Sequence, residues 1–205
     1  MHENFINMKI IYDYCLLSQD RQNYIFELKK IKINDKCFEL LIKSSEIQNA
    51  INEIAKKMNN DMKGKDVVFV CILNGAFIFA SDLLKKIKFK CCITFIKLSS
   101  YKQIKSSGVI KKLIGINEEI KDKSIVIIED IVDTGMTIES TIARLLEYKP
   151  KEIKIATLLF KPQAYTKNIE IDYIGFKIPD NFVVGFGLDY NGYGRNLRDI
   201  YTLNK

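Results

Sequence analysis

The sequence predicts an α/β domain built on a mostly parallel, twisted sheet flanked by helices. Three observations predict it. Apolar runs alternate along the chain with segments of helical spacing, the order of βαβ units. Those runs are apolar throughout rather than alternating, as in strands covered on both faces. The chain has 205 residues, 47% of them hydrophobic and 28% charged, which suits one packed domain.

Residues 1–30 show no clean periodicity and read as an N-terminal extension. A single domain is expected over 31–205. Ser45 reads as a helix N-cap with Gln48 completing a capping box. Ile47, Ala50, Ile51, Ile54, Ala55 and Met58 follow at helical spacing, up to Asn59-Asn60-Asp61. After the charged turn at Lys63-Gly64-Lys65-Asp66, Val67 to Leu73 reads as a buried strand, broken by Asn74-Gly75. A helix is expected over 76–87, a strand over 91–97 and a polar loop over 98–112. A third strand is expected over 124–128, and a helix over 137–148 with Ile138, Ile142, Leu145 and Leu146 on one face. Strands over 153–160 and 171–176 complete the set.

Composition excludes several classes of function. The longest apolar run, Val67 to Leu73, is far short of the ~20 residues that span a bilayer. No secretory signal is evident, so the expectation is a cytoplasmic protein without a membrane partner. The only histidine is His2, which argues against Ser-His-Asp or Cys-His catalysis and against a His-rich metal site. A base would have to be a carboxylate, Lys, Cys or Tyr. The five cysteines (Cys15, Cys37, Cys71, Cys91, Cys92) form no C-x-x-C. Cys71 and Cys91 sit in apolar segments and read as buried, reduced thiols. Net charge is +7, yet only four of the 32 basic residues are Arg. Scattered lysines fit a small anionic ligand better than a nucleic-acid surface.

The chemistry concentrates in Ile125-Val126-Ile127-Ile128-Glu129-Asp130-Ile131-Val132-Asp133-Thr134-Gly135-Met136-Thr137. An apolar strand runs into two carboxylates, then into Asp-Thr-Gly-x-Thr and a helix start. In open α/β sheets, ligands bind beyond the carboxyl ends of the strands. A Gly turn followed by a helix start aims backbone N–H groups at one point, where the helix dipole also favours a phosphate. Glu129 and Asp130 suit the two donors of a vicinal diol. Asp133 is then the carboxylate best placed for proton transfer. P-loop and G-x-G-x-x-G patterns are absent.

This stretch resembles the phosphoribosyl pyrophosphate (PRPP) signature of type I phosphoribosyltransferases. Ile72-Leu73-Asn74-Gly75, Ser100-Tyr101, Leu159-Phe160-Lys161 and Phe182-Val183-Val184-Gly185-Phe186-Gly187-Leu188-Asp189-Tyr190 together resemble the hypoxanthine or hypoxanthine-guanine branch. The resemblance implies the fold of that family, with a small hood over the site. It implies that Glu129 and Asp130 hold the ribose hydroxyls and a metal, and that Asp133 is the base near purine N7. Asp133, Thr134, Gly135, Met136 and Thr137 would bind the 5′-phosphate. Family members often carry a basic residue where Met136 stands.

Leu73, Asn74 and Gly75 match the pyrophosphate loop, which in the family often holds a non-proline cis peptide. Asn74 stands where some members have Lys, which places more of the pyrophosphate charge on Mg²⁺ and Arg195. Ser100 and Tyr101 would close over the reaction as part of a lid. Lys161 would meet the purine 6-oxo group, Phe182 would stack on the base, and Val183 would read it through the main chain. Asp189 would hold a second Mg²⁺, and its carbonyl would face the purine 2-position. The implied partners are PRPP and a 6-oxopurine, with no nucleic acid, in a homodimer or homotetramer. Two other readings are a xanthine-preferring enzyme and an RNA-binding regulator on the same fold.

Overall fold

The computed structural model describes residues 30–97 and 119–204. Ser100, Tyr101, the rest of the expected lid and residues 1–29 lie outside the described residues. Strands β1 (Lys30–Ile33) and β2 (Lys36–Ile42) form a hairpin, followed by helix α1 (Ser44–Asp61). Then come β3 (Val67–Leu73), α2 (Phe77–Leu84), β4 (Cys91–Lys97), β5 (Ser124–Val132), α3 (Met136–Leu146), β6 (Glu152–Phe160) and β7 (Tyr173–Lys177). Two short strands, β8 (Val183–Val184) and β9 (Ile200–Leu203), end the described chain.

Five strands make one sheet in the order β4-β3-β5-β6-β7, and every neighbouring pair is parallel. Alternate residues of β3 face opposite layers, as the two-residue strand period requires. Phe69 and Cys71 pack with Ile47, Ile51 and Met58 of α1 and with Phe79 and Leu83 of α2. Val68, Val70 and Ile72 pack on the other side with Ile138 and Leu145 of α3. Helices on both faces explain why the strands read as unbroken apolar runs. All carboxyl ends of a parallel sheet lie on one edge, and there the chain places its polar loops.

The second sheet is antiparallel, in the order β1-β2-β9-β8, around Phe38, Val184 and Tyr201. This is the expected hood. It joins the first described residues to the last. Ser44 N–H also donates to Asp199 Oδ1 at 2.6 Å, so the segment before β9 caps the start of α1.

Several expectations need correction. The N-cap of α1 is Lys43, not Ser45, and Glu46 rather than Gln48 closes the capping box by accepting from Lys43 N–H at 3.0 Å. Gln48 instead donates to Asp82 on α2 at 2.7 Å, binding the two helices together. Helix α2 ends at Leu84, before the expected Ile87, and α3 runs 136–146 rather than 137–148. Leu146 is exposed beyond the packed face of α3. Cys71 is buried, but Cys91 is exposed because it opens an edge strand. Strand β5 continues past Ile128 to Val132, so the acidic pair lies inside the sheet rather than beyond it.

Among the described residues no helix is long and apolar enough to cross a membrane.

Candidate active site

Glu129 and Asp130 stand near the carboxyl end of β5, 7% and 8% exposed. Glu129 lies in register with Thr157 of β6. Burial pushes the Glu129 carboxyl well above the ordinary carboxylate range, and the negative charge of Asp130 pushes it further. Burial also raises Asp130, but a hydrogen bond from Glu129, the Ile131 N–H and the charge of Arg195 all oppose that rise. Of the two, Glu129 is therefore the carboxyl whose charged form the protein disfavours more strongly. Oε2 of Glu129 is buried with no hydrogen-bond partner among the described residues. An orphaned carboxyl oxygen is costly in a folded protein unless something fills it during function. Below the pair, burial and the two acidic groups push the Cys71 thiol up to about 12, which makes it inert.

Asp-Thr-Gly-Met-Thr follows. Gly135 has φ +85°, the left-handed conformation that turns the chain sharply into α3. The first-turn N–H groups of a helix lack intrahelical acceptors. Here that turn begins directly after Thr134. Met136 is 66% exposed, so its side chain contributes no packing. The segment after β6 packs across the turn: a Cβ on Gly135 would stand 2.5 Å from the Tyr165 ring and 2.8 Å from Lys167 Cγ. Thr166 donates its N–H and its hydroxyl to the Thr134 carbonyl, at 3.3 and 3.2 Å.

The Leu73–Asn74 peptide is cis. The next residue, Gly75, sits so close to the acidic pair that a Cβ there would fall 1.6 Å from Asp130 Oδ2. Behind it comes Gly187 of the hood (φ +104°), where a Cβ would lie 2.1 Å from the Gly75 carbonyl oxygen. Arg195 clamps this stack. It donates through Nη1 to the Gly187 carbonyl at 2.7 Å and pairs through Nη2 with Asp189 Oδ1 at 2.6 Å. Asp189 Oδ2 also accepts the Gly192 N–H at 2.7 Å. The loop after β3, the acidic pair of β5 and the hood loop therefore meet through bare backbone, with one cation beside them.

On the far side of β5, Lys161 ends β6 with its side chain 8% exposed. Its ammonium lies 3.0 Å from Asp133 Oδ2 and 3.0 Å from Asp180 Oδ1. Burial alone would lower the Lys161 pKa; the hydrogen bonds it donates to Asp133 and Asp180 outweigh that and hold the ammonium above its ordinary value. Phe182 is 47% exposed, with its ring tilted 6.3 Å from Phe38 and edge-on 5.9 Å from Tyr190. Val183 is buried and pairs with Thr202 across β8 and β9.

The structure thus gathers Gly75, Asp130, Arg195 and Asp189 in one stack, joins Asp133 to Lys161, and supports Phe182 on the hood. Glu129, Asp130 and Asp189 do not converge on one point: among the described residues no group of three His, Cys, Asp or Glu could hold a metal. Sequence reading missed Asp180. The Pro179-Asp180-Asn181 turn just before Phe182 was the available signal. It also missed that Tyr165 and Lys167 cover Gly135, a contact between segments distant along the chain.

A family model for the phosphoribosyl transferase domain matches residues 43–191. The hypoxanthine-guanine phosphoribosyltransferase of Aquifex aeolicus is 37% identical over 174 residues, covering 84% of this chain and 98% of the relative. That of Staphylococcus aureus is 41% identical over 166 residues, covering 80% and 93%. A crystal structure of a hypoxanthine-guanine phosphoribosyltransferase from Bacillus anthracis superposes with a TM-score of 0.74 at 35% identity, covering 82% of this chain and 97% of that one. With a domain match over most of its length and relatives aligned nearly end to end, this chain belongs to the hypoxanthine-guanine phosphoribosyltransferase family.

Proposed function

We propose that this chain serves purine salvage, moving the 5-phosphoribosyl group of PRPP to hypoxanthine and guanine to give IMP or GMP and pyrophosphate. The observation that carries the reading is the order of groups along one edge of the sheet. A helix-start turn with no cationic residue of its own, a buried acidic pair and a buried lysine stand at the ends of the adjacent strands β5 and β6. They match in sequence the 5′-phosphate, the ribose diol and the 6-oxo group of the two substrates.

The backbone N–H groups of 134–137 and the Thr134 and Thr137 hydroxyls hold the 5′-phosphate, with Asp133 at the edge of that turn. Because the cradle is main chain, Met136 in place of a basic residue costs little. Glu129 and Asp130 accept the ribose 2′- and 3′-hydroxyl protons, which gives the orphaned Glu129 oxygen a partner. The C1–O bond to pyrophosphate breaks and a C1–N bond to the purine forms through an oxocarbenium-like transition state, with carboxylates below the ribose to stabilise its charge. Leu73, Asn74, Gly75 and Arg195 receive the pyrophosphate, and Ser100 and Tyr101 close over it. Asp133 takes the proton lost from the purine ring. Lys161 donates to the 6-oxo oxygen, Phe182 stacks on the base, and Val183 and the Asp189 carbonyl contact its edge.

All the metal-binding candidates are carboxylate oxygens, one of them buried and unpartnered, a donor set that fits a hard divalent cation. Glu129 and Asp130 would hold Mg²⁺ together with substrate oxygens and water, and Asp189 would hold a second such ion. When bound, these ions neutralise the leaving pyrophosphate. Membership of the family supports a single catalytic domain over 31–205, a homodimer or homotetramer, and a cytoplasmic setting.

Assay of the purified chain with PRPP and Mg²⁺ against hypoxanthine, guanine, xanthine and adenine tests the reading. Turnover of hypoxanthine and guanine with none of adenine supports it; a preference for xanthine, or no turnover of any base, overturns it. Asp133→Asn is expected to lower kcat by ~10²–10⁴ with PRPP affinity largely kept. An unchanged kcat would remove the base role.

Glu129→Gln tests the cost of the acidic pair. A raised folded-state pKa gives stability that is present below the unfolded value and lost as pH rises through the folded one. The variant is therefore expected to be more stable than the parent at pH 7–8 by about 1–2 kcal/mol while losing activity. The gain shrinks as pH falls toward the ordinary Glu range. Thermal unfolding of both proteins across pH measures this.

A further inference from the structure

We propose that Asp180 is a positioning residue for base recognition: it fixes the Lys161 ammonium for the purine 6-oxo group and keeps that charge compensated when Asp133 takes a proton. The inference rests on the proposed role of Lys161 and goes beyond it.

The geometry comes from the sheet. Strands β5, β6 and β7 are consecutive parallel neighbours. Each delivers one charge just past its carboxyl end: Asp133 after β5, Lys161 after β6 and Asp180 after β7. The backbone holds them in place, since Lys161 N–H donates to the Val132 carbonyl at 3.0 Å and Ile178 N–H to the Phe160 carbonyl at 2.9 Å. Lys161 Nζ is 3.0 Å from each carboxylate.

The three side chains differ in exposure. That of Lys161 is 8% exposed, against 45% for Asp133 and 62% for Asp180. A buried ammonium needs a counter-ion that stays charged through the reaction. Asp133, as the base, becomes neutral when it accepts the purine proton. Asp180 faces solvent and takes no part in that proton transfer, so Lys161 keeps one partner at the moment it loses the other.

The hydrogen-bond count agrees. An ammonium has three N–H donors and no acceptor. Two are taken by Asp133 and Asp180, and one is left for a ligand oxygen. With both carboxylates holding it, the ammonium cannot swing away from its position, and a 6-amino group would meet a donor instead of an acceptor. Asp180 also links this charge to the hood. Asn181 N–H donates to the Pro179 carbonyl at 2.8 Å, a tight turn centred on Asp180, and Phe182 follows directly. The residue that holds the lysine therefore sets where the stacking ring enters.

Steady-state kinetics of Asp180→Asn, Asp180→Glu, Lys161→Met and Asp180→Asn/Lys161→Met, with hypoxanthine and PRPP varied separately, test the proposal. Asp180→Asn is expected to raise the hypoxanthine KM about tenfold or more, the scale of a hydrogen bond to a charged group. The PRPP KM should hold within about twofold, since Asp180 touches no group assigned to PRPP. Asp180→Glu should recover most of the loss, and in the Lys161→Met background Asp180→Asn should add nothing. An unchanged hypoxanthine KM in Asp180→Asn, equal loss for both substrates, or an undiminished effect without Lys161 overturns the proposal. If Lys161→Met itself leaves hypoxanthine KM unchanged, the base-site reading falls and this inference with it. If Lys161→Met raises that KM and Asp180→Asn does not, the base site stands and Asp180 alone is excluded.

Discussion

Two carboxyl groups lie side by side inside the central sheet, and neither forms an ion pair among the described residues. Most of the active end can be traced to this. Burial pushes the Glu129 carboxyl well above its ordinary range, and one of its oxygens has no partner among the described residues. The loop after β3 must pass so close to Asp130 that only Gly75 fits, and the hood must press so close to Gly75 that only Gly187 fits. Arg195 then sits where its charge reaches Asp130 while its donors tie down the hood. The site is arranged around two buried acidic groups that lack an ion-pair partner among the described residues, as expected where a cation or a row of donors arrives with the substrate.

A parallel sheet makes this arrangement economical. Neighbouring strands deliver their next residues to one edge at one strand spacing, so β5, β6 and β7 set Asp133, Lys161 and Asp180 in a row. The same end carries the turn into α3. The antiparallel hood is a separate sheet that carries the aromatic ring, and it joins this edge through Asp180 on one side and Arg195 on the other. The acidic pair and the turn into α3 both come from β5, while Lys161 follows β6 and Asp180 follows β7.

The parts legible in the sequence are those whose cause is local. Val67–Leu73 was readable to the residue because burial between helices makes such a run apolar, with sharp polar ends; Cys91–Lys97 was readable from its β-branched and aromatic residues, although this edge strand leaves Cys91, Cys92 and Phe95 exposed. The sharp turn into α3 was readable because Gly135, its flanking threonines and the following helix are contiguous. The start of α1 was misplaced because its N-cap is Lys43, not a usual capping residue, and the next N–H, that of Ser44, is satisfied by Asp199, 155 residues away. The hood strands were not read individually: β8 has two residues and β1 alternates only weakly, so neither carries a clear period. Asp180 looks like a turn residue until the sheet brings it to Lys161, and the Gly75–Gly187 contact exists only in the folded chain.

Burial and the neighbouring Asp130 push the Glu129 carboxyl well above its ordinary range, so substrate binding is expected to release a proton from it. Isothermal titration of PRPP with Mg²⁺ into the protein, repeated in buffers of different ionisation enthalpy, measures it directly. The same titrations with Glu129→Gln correct for protons that belong to the ligand. The account predicts a net release by the parent protein approaching about one proton near neutral pH, smaller at higher pH and absent in the variant. Equal proton counts for parent and variant would contradict it, because Glu129 would then already be ionised before substrate arrives.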